Sequence, residues 1–299
     1  MASMPAIHAC EAGASLKSAS PSRSLGTRTS DIDSLSFIGE RQTMNEGADL
    51  LLTEIFIRTG QRFGEVKDYR SAAIQTIPTT SKIIQQESIH TATWIAQADE
   101  LFTDKEAFLN IVGGIEGLAS VIAKNRITSY KLAIDSASIV LAHSILDAVA
   151  FDCCRVVEIA APPENWEPFV KKRQISLEEL KGKDYRSVLR DKISKYVQEL
   201  DHKSLNEKID KLFQLCKPPV DFTPIRDHQY DGDKIKKLDS WRHIVVHGPG
   251  LPPPLENCGG NITYMRDTSN FLICLVNHGY GVMINPTLFK ESLKMQRKA

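Results

Sequence analysis

One long stretch, Ser129–Ala161, constrains the fold of this chain more than any other part of its sequence. It is the most hydrophobic segment, and its apolar residues recur at the three- and four-residue spacing of an α-helix. The consecutive Pro162 and Pro163 end the pattern, because proline cannot continue the hydrogen-bond ladder of a helix. The stretch therefore predicts a single long helix.

Charged and polar residues argue against a membrane span in this segment. A spanning helix tolerates few ionisable side chains in its apolar core. The residues that interrupt the apolar run are Asp135, His143, Asp147, Asp152 and Arg155. We therefore expect a helix of a water-exposed bundle, with these polar residues on faces that need partners.

The remainder of the chain also shows helical periodicity, and alternating strand patterns are not evident. The sequence predicts an all-α protein with an up-and-down helical bundle. The expected organisation is a disordered tail (1–45), an N-terminal helical region (46–126), a helical bundle (127–285) and a basic C-terminal tail (286–299). Within the second region, Lys105–Asn125 is predicted to be one helix, and a looser stretch is expected around Pro78.

Composition narrows the function classes. The 37 basic and 37 acidic residues balance, so no global field draws the chain to nucleic acid or to a membrane surface. Six cysteines without CxxC spacing favour a reducing compartment and no structural zinc. The segment before residue 46 has no apolar run typical of a signal peptide. We expect a cytoplasmic protein, with no membrane association, metal or cofactor.

The segment Asp233–Gly250, DKIKKLDSWRHIVVHGPG, carries the densest set of reactive side chains. Its apolar residues Ile235, Leu238, Trp241 and Val245 predict one buried helix face. Gly248 and Pro249 end the helix, and we expect Gly248 to adopt a left-handed conformation. The polar set that opposes the buried face comprises Asp239, Arg242, His243 and His247.

The pattern Arg242-x4-His247, followed by glycine and placed at the end of an amphipathic helix, resembles the signature of the HEPN superfamily. The resemblance covers roughly Ser129–Met283 and implies a HEPN-like helical bundle. Many members of that family are metal-independent ribonucleases. In the family the residue after the arginine is usually polar, often asparagine, and here it is His243.

The resemblance also implies a chemistry and an assembly. His247 would act as acid or base, and Arg242 would stabilise the phosphorane as charge builds on the phosphate oxygens. His243 and Asp239 belong to the same candidate catalytic set, with Asp239 able to hold Arg242 or His243. A homodimer would bring two copies together at one RNA-binding cleft, and a further partner of the antitoxin class is a candidate.

Asp147 is a fifth candidate, because it stands between apolar residues of the long helix and needs a partner if it is buried. In HEPN-like bundles an acidic residue of an early core helix often approaches the Arg/His pair. Asp147 is predicted to take that role. The alternative is an ordinary pair with His143, four residues earlier on the same helix face.

A basic segment, Val170–Lys208, offers a candidate track for an RNA backbone. It holds eleven basic and seven acidic residues, an excess of four positive charges (11 − 7). The candidate RNA-binding residues are Lys171, Lys172, Arg173, Arg186 and Arg190. Two interpretations stay open, an electrostatic track for phosphates and a solvated helix face.

Two functions from different classes follow. The first is a metal-independent endoribonuclease of a defence or toxin–antitoxin type. The second is a non-catalytic helical module that binds nucleotide or RNA, or that dimerises. In the second case Arg242 would bind Asp239, and His247 would cap the end of its own helix.

Overall fold

The computed structural model describes residues 31–98, 103–170, 181–182, 184–248, 255–287 and 289–290, with side-chain surroundings from residue 46 onward. Within these ranges all regular structure is helical, which confirms the predicted all-α class. In chain order the helices are α1 (Asp31–Gln97), α2 (Lys105–Val112), α3 (Gly114–Ala160), α4 (Pro163–Val170), α5 (Tyr185–Leu200), α6 (Leu205–Cys216), α7 (Gly232–His247) and α8 (Cys258–Tyr280).

Helix α3 lies at the centre of the bundle and contains the long apolar stretch of the sequence. It packs against α1, α2, α5, α6, α7 and α8. Side chains such as Ile139, Leu146 and Val157 are fully buried, and the adjacent Cys153 and Cys154 are core residues as expected. The helix ends at Ala160, directly before the two prolines.

Of the helices in the described ranges, α3 alone is long and apolar enough to cross a membrane. Within its most apolar window, 56 % of the residues are buried inside the bundle. The core helix of a globular protein passes the same length and composition criteria, so this is weak evidence for a span.

Helices α1 and α3 form a long antiparallel pair. At 1.5 Å per residue the 67 residues of α1 extend for about 100 Å. Buried residues of α1 follow the three- and four-residue spacing of a coiled-coil seam, as in Phe63, Val66, Ile84, Ser88 and Ala92.

Ion pairs join the two helices along this seam. Arg58 pairs with Asp152, Arg70 Nη2 lies 2.9 Å from Asp135 Oδ1, and Arg126 Nη2 lies 2.7 Å from Glu87 Oε2. Two of the charged residues that interrupt the apolar stretch, Asp135 and Asp152, therefore find their partners on α1.

Helix α1 is longer and more regular than the sequence indicated. It begins at Asp31, so the backbone of 31–45 is helical where a disordered tail was predicted. It also continues through Pro78, where we expected a looser stretch. An internal proline costs about 3 kcal/mol. Helix α1 is held to α3 on both sides of Pro78, by the Arg70–Asp135 and Glu87–Arg126 pairs.

The predicted helix Lys105–Asn125 is two helices in the structure. Gly113 and Gly114 have φ values of 81° and 76°, a left-handed conformation that glycine adopts without steric cost. This break ends α2 and starts α3, which then runs without interruption to Ala160. The domain boundary expected between residues 126 and 127 consequently falls inside α3.

Two helix ends have well-defined caps. Ser204 caps α6 in a full capping box, in which its side chain and that of Glu207 each bind the other's backbone. Helix α8 ends at Tyr280 and is capped by Gly281, which has a φ of 66°. The last described residues return to α1, where the amide of Met283 donates to Asp49 Oδ1 at 2.7 Å.

The central position of α3 gives a stability prediction. Leu146→Ala removes a fully buried side chain and should lower the free energy of unfolding by about 2–5 kcal/mol, because a cavity is left in a close-packed core. Leu141→Ala on the same helix, where Leu141 is 46 % exposed, should change it by less than about 0.5 kcal/mol. Urea unfolding of the two variants checks this, and equal losses would contradict it.

Candidate functional site

Helix α7 carries the Arg/His motif, and its buried face fixes the direction of the polar face. Asp231 caps the helix by accepting from the amides of Asp233 and Lys234 at 2.9 and 3.1 Å. Three residues of the predicted apolar face, Ile235, Leu238 and Trp241, are buried. Val245, the fourth, is partly buried and packs against the main core.

The end of α7 departs from the prediction in its geometry. Gly248 has φ −74° and ψ 146°, an extended conformation, where a left-handed one was expected. Its amide donates to Ile244 O at 2.8 Å. A Cβ atom at this position would lie 2.4 Å from that carbonyl oxygen, so glycine is required by close approach and not by its backbone angles.

A cleft of about 630 Å³ opens between α3, α7 and the turn that joins α5 to α6. Helix α3 contributes His143 and Asp147, and helix α7 contributes Asp239, Arg242 and His243. Four of the five catalytic candidates chosen from the sequence therefore line one cavity. These polar residues are far apart in the chain, and they meet because α7 packs against α3.

The fifth candidate, His247, does not line this cleft. It is exposed in the last turn of α7, and its ring lies 4.9 Å from the ring of His243, at an interplanar angle of 50°. The helix remains regular up to His247. Residues five apart differ by about 140° around a helix axis, so Arg242 and His247 point in different directions.

Asp239 contacts a residue that the sequence did not assign to it. His143 Nε2 lies 3.1 Å from Asp239 Oδ1, and the His143 side chain is only 2 % exposed. Neither ring nitrogen of His143 makes a well-aligned hydrogen bond, so the contact is close without being ideal. This pair connects α3 to α7 at the base of the cleft.

The pKa of His143 is lowered from its ordinary value. Burial is the main cause, because it removes water from the charged ring. Asp239 and Asp147 act in the opposite direction, and the positive charge of Arg242 lowers the pKa further. His143 is therefore held in its neutral form at neutral pH.

Asp147 lines the cleft but has its own partner. Lys208 Nζ donates to Asp147 Oδ1 at 2.8 Å, and the Lys208 side chain is only 1 % exposed. A lysine buried to this degree requires a countercharge. Asp147 supplies it, so its closest contact is a structural ion pair with α6 and not the Arg/His motif.

Arg242 is half-buried, and its guanidinium is not neutralised by a nearby acid. Its Nε is buried without a hydrogen-bond partner. Among the described residues, no carboxylate lies within ion-pair distance of it, although Asp239 is three positions earlier on α7. The expected Asp239–Arg242 contact is replaced by Asp239–His143. Arg242 is left available for an anion.

The turn between α5 and α6 forms the other wall of the cleft and was missed by the sequence analysis. It contributes His202, Lys203 and Ser204. Lys203 Nζ lies 3.9 Å from Glu207 Oε1, a long contact between exposed groups. The available signal was the polar run Asp201–Lys203, directly before the Ser204–Glu207 capping box that starts α6.

Of the predicted RNA-binding residues, the two that the structure describes, Arg186 and Arg190, do not line the cleft. Arg186 and Arg190 are exposed on α5, and Arg186 Nη2 lies 3.6 Å from Glu164 Oε1. Arg190 is twelve residues from His202, about 18 Å along a helix of this geometry. Lys171, Lys172 and Arg173 lie outside the described residues.

Within the described ranges, no group of three or more histidine, cysteine or acidic side chains could hold a metal ion. Comparison of the chain with protein-family models, with curated proteins and with solved structures gives no match. The geometry of the cleft is therefore the basis for a functional proposal, and the HEPN resemblance stays a prediction.

The Lys208–Asp147 pair gives a prediction on stability. Asp147→Asn should lower the free energy of unfolding by about 3 kcal/mol, because it leaves the buried ammonium of Lys208 without a countercharge. Adding Lys208→Met should restore part of this loss, since no buried charge then remains. The measurement is urea unfolding at pH 7.

The control for that measurement is Asp233→Asn, which breaks the exposed contact with Lys236. It should cost less than about 1 kcal/mol, as exposed pairs contribute little. A double variant no more stable than Asp147→Asn alone would show that the uncompensated charge is not the cause.

The buried His143 gives a prediction on pH. Its folded-state pKa is lowered, so the unfolded chain binds a proton first as pH falls, near pH 6.5. The stabilisation is present above about pH 6.5 and is lost as pH falls through the lowered folded-state pKa. His143→Gln should therefore lose less unfolding free energy than wild type between pH 7.5 and pH 5.5.

His228, whose pKa burial also lowers, should contribute a part of the loss that remains in the variant. His90→Gln, at an exposed position, serves as the control and should lose as much as wild type. An identical pH dependence of wild type and His143→Gln would contradict the prediction.

Proposed function

We propose that this chain is an endoribonuclease that cleaves RNA by attack of the 2′-hydroxyl on the adjacent phosphate, without a metal. One observation carries the proposal. Arg242 lies half-buried in a cleft with its Nε unpartnered, and His243 lines the same cleft. A guanidinium available for an anion, beside an accessible imidazole, is the combination that phosphodiester cleavage requires.

The charge balance of the cleft supports a phosphate as its ligand. Asp147 is neutralised by Lys208, and Asp239 is in contact with His143. The cations of the lining are Arg242 and the exposed Lys203, whose contact with Glu207 is long, at 3.9 Å. An incoming phosphate would therefore meet two positive charges, and Asp239, the acid three positions before Arg242 on α7, is in contact with His143 instead of Arg242.

Each side chain has a defined task in the proposed reaction. Arg242 donates to the non-bridging phosphate oxygens, where negative charge grows in the transition state. His243 lines the cleft, and the ring of His247 lies next to the ring of His243. In the proposed reaction these imidazoles transfer a proton to or from an oxygen attached to phosphorus. The contact between His143 of α3 and Asp239 of α7 positions the polar face of α7.

A second candidate function has an observation of its own. Ile244 and Val246 are 45 % and 48 % exposed on α7, next to the exposed His247. Apolar residues exposed around the motif favour a protein-binding surface. In this alternative the chain is a non-catalytic dimerisation or RNA-binding module, and α7 would contact a second copy of the chain.

RNA cleavage in excess chelator separates the two functions. Arg242→Ala should lower the cleavage rate by about 100-fold or more, the effect of removing one donor to a developing oxyanion. The matched control is Arg226→Ala, since Arg226 is 95 % exposed and does not line the cleft. His247→Ala measures the contribution of the second motif residue.

The products and substrate give a further check on the chemistry. The proposed reaction yields a 2′,3′-cyclic phosphate and a 5′-hydroxyl, and an oligonucleotide with a 2′-deoxy group at the scissile position should be inert. Equal cleavage by wild type and Arg242→Ala, or no cleavage by wild type, would exclude the nuclease and favour the module.

A further inference from the structure

We infer that His202, in the turn between α5 and α6, is the second acid–base residue of this cleft, acting opposite His243 of the same chain. The inference rests on the proposed ribonuclease function. It adds a catalytic residue that the Arg/His motif does not contain, and it makes the site complete within one protomer.

The geometry of phosphoryl transfer requires groups on two sides of the phosphorus. The attacking 2′-oxygen and the leaving 5′-oxygen stand roughly in line, on opposite sides of the phosphorus atom. The group that takes the first proton and the group that supplies the second must therefore come from opposite walls. His243 and His247 lie one helical turn apart on α7, with rings 4.9 Å from each other, so His247 supplies no group on the side opposite His243.

His202 belongs to a different element of the lining, the turn between α5 and α6. It lines the cleft together with His243 and Arg242, and its side chain is exposed to solvent. Lys203, the next residue, brings a positive charge to the same wall. A phosphate between the walls would have one imidazole and one cation on each side.

The turn holds His202 in a defined position. Leu200 before it and Leu205 after it are buried, with 3 % and 2 % exposure. The amide of His202 donates to Glu199 O at 3.3 Å, and the amide of Lys203 donates to Leu200 O at 3.0 Å. The capping box of Ser204 and Glu207 fixes the far end. A catalytic group needs such support to keep its geometry.

The charged groups around the cleft come from each element packed there. They are Lys203 and Glu207 near the turn, His143 and Asp147 on α3, and Asp239 and Arg242 on α7. Both acids of the cleft floor are already in contact with a partner, Lys208 or His143. This leaves His202 and His243 as the accessible imidazoles of the lining.

The proposed step balances without any further reactant. One neutral imidazole takes the 2′-hydroxyl proton as the bond from the 2′-oxygen to phosphorus forms. The imidazolium on the opposite wall gives its proton to the 5′-oxygen as the bond from phosphorus to that oxygen breaks. The products are the cyclic phosphate and the 5′-hydroxyl, with one proton gained by one ring and lost by the other.

The experiment compares His202→Gln and His243→Gln on an RNA oligonucleotide with one scissile linkage. Each variant should cleave about 100-fold or more slowly than wild type, the range of a lost acid–base group. His90→Gln, at an exposed position outside the cleft, should keep the wild-type rate. Thermal unfolding shows whether each variant is folded.

A second substrate separates a catalytic role from a structural one. In a linkage with sulfur in place of the 5′-oxygen, the leaving thiolate needs no proton. One of the two variants, the one that lacks the acid, should recover to within about tenfold of wild type on this substrate. The other variant, which lacks the base, should remain slow. Failure of both variants to recover would overturn the acid–base assignment.

Mixing the two variants tests whether one chain holds both residues. A site within one protomer cannot be repaired by mixing, so the mixture should stay as slow as its components. Restored activity would place the two histidines of a site on different chains and overturn the inference. If His202→Gln cleaves at the wild-type rate while Arg242→Ala is inactive, the inference about His202 is overturned and the proposed ribonuclease function is retained. If the wild-type protein does not cleave RNA, both the inference about His202 and the proposed ribonuclease function are excluded.

Discussion

The burial of α3 is the constraint on which the rest of this structure depends. One helix carries the longest apolar surface of the chain and packs against α1, α2, α5, α6, α7 and α8. Burial of apolar side chains contributes about 25 cal/mol for each Å² removed from water, and α3 supplies a large share of the buried residues. The other helices are arranged so that this surface is covered.

The polar residues of α3 then determine how its neighbours are oriented. Asp135 and Asp152 hold α1, Asp147 holds the buried Lys208 of α6, and His143 contacts Asp239 of α7. A buried polar group without a partner is costly, so these contacts specify the arrangement more than they stabilise it. They also place α6 and α7 on either side of one cleft.

The cleft therefore results from the way the core packs, and its lining contains basic, acidic and imidazole side chains. Its floor holds acids that are already in contact with partners, and its walls hold Arg242, His243, His202 and Lys203. That combination is the basis of the proposal that the cleft binds a phosphate and of the inference that protons are transferred on two sides of its phosphorus atom. Of the two exposed apolar residues near the tip of α7, Ile244 lines this cavity and Val246 does not, and both would serve protein contact in the alternative function.

The sequence alone determined the all-α class, the buried face of α7, the end of α3 before Pro162 and the capping box at Ser204, because periodicity and caps are local properties. Asp147, Asp239, Arg242 and His243, which were chosen as candidates from the sequence, line one cavity in the structure. The tertiary structure decided that α1 continues through Pro78 and that α2 and α3 separate at Gly113. It also paired Asp239 with His143, left His247 off the cleft and brought His202 to it. These features depend on contacts between residues far apart in the chain, and local spacing carries no information about them.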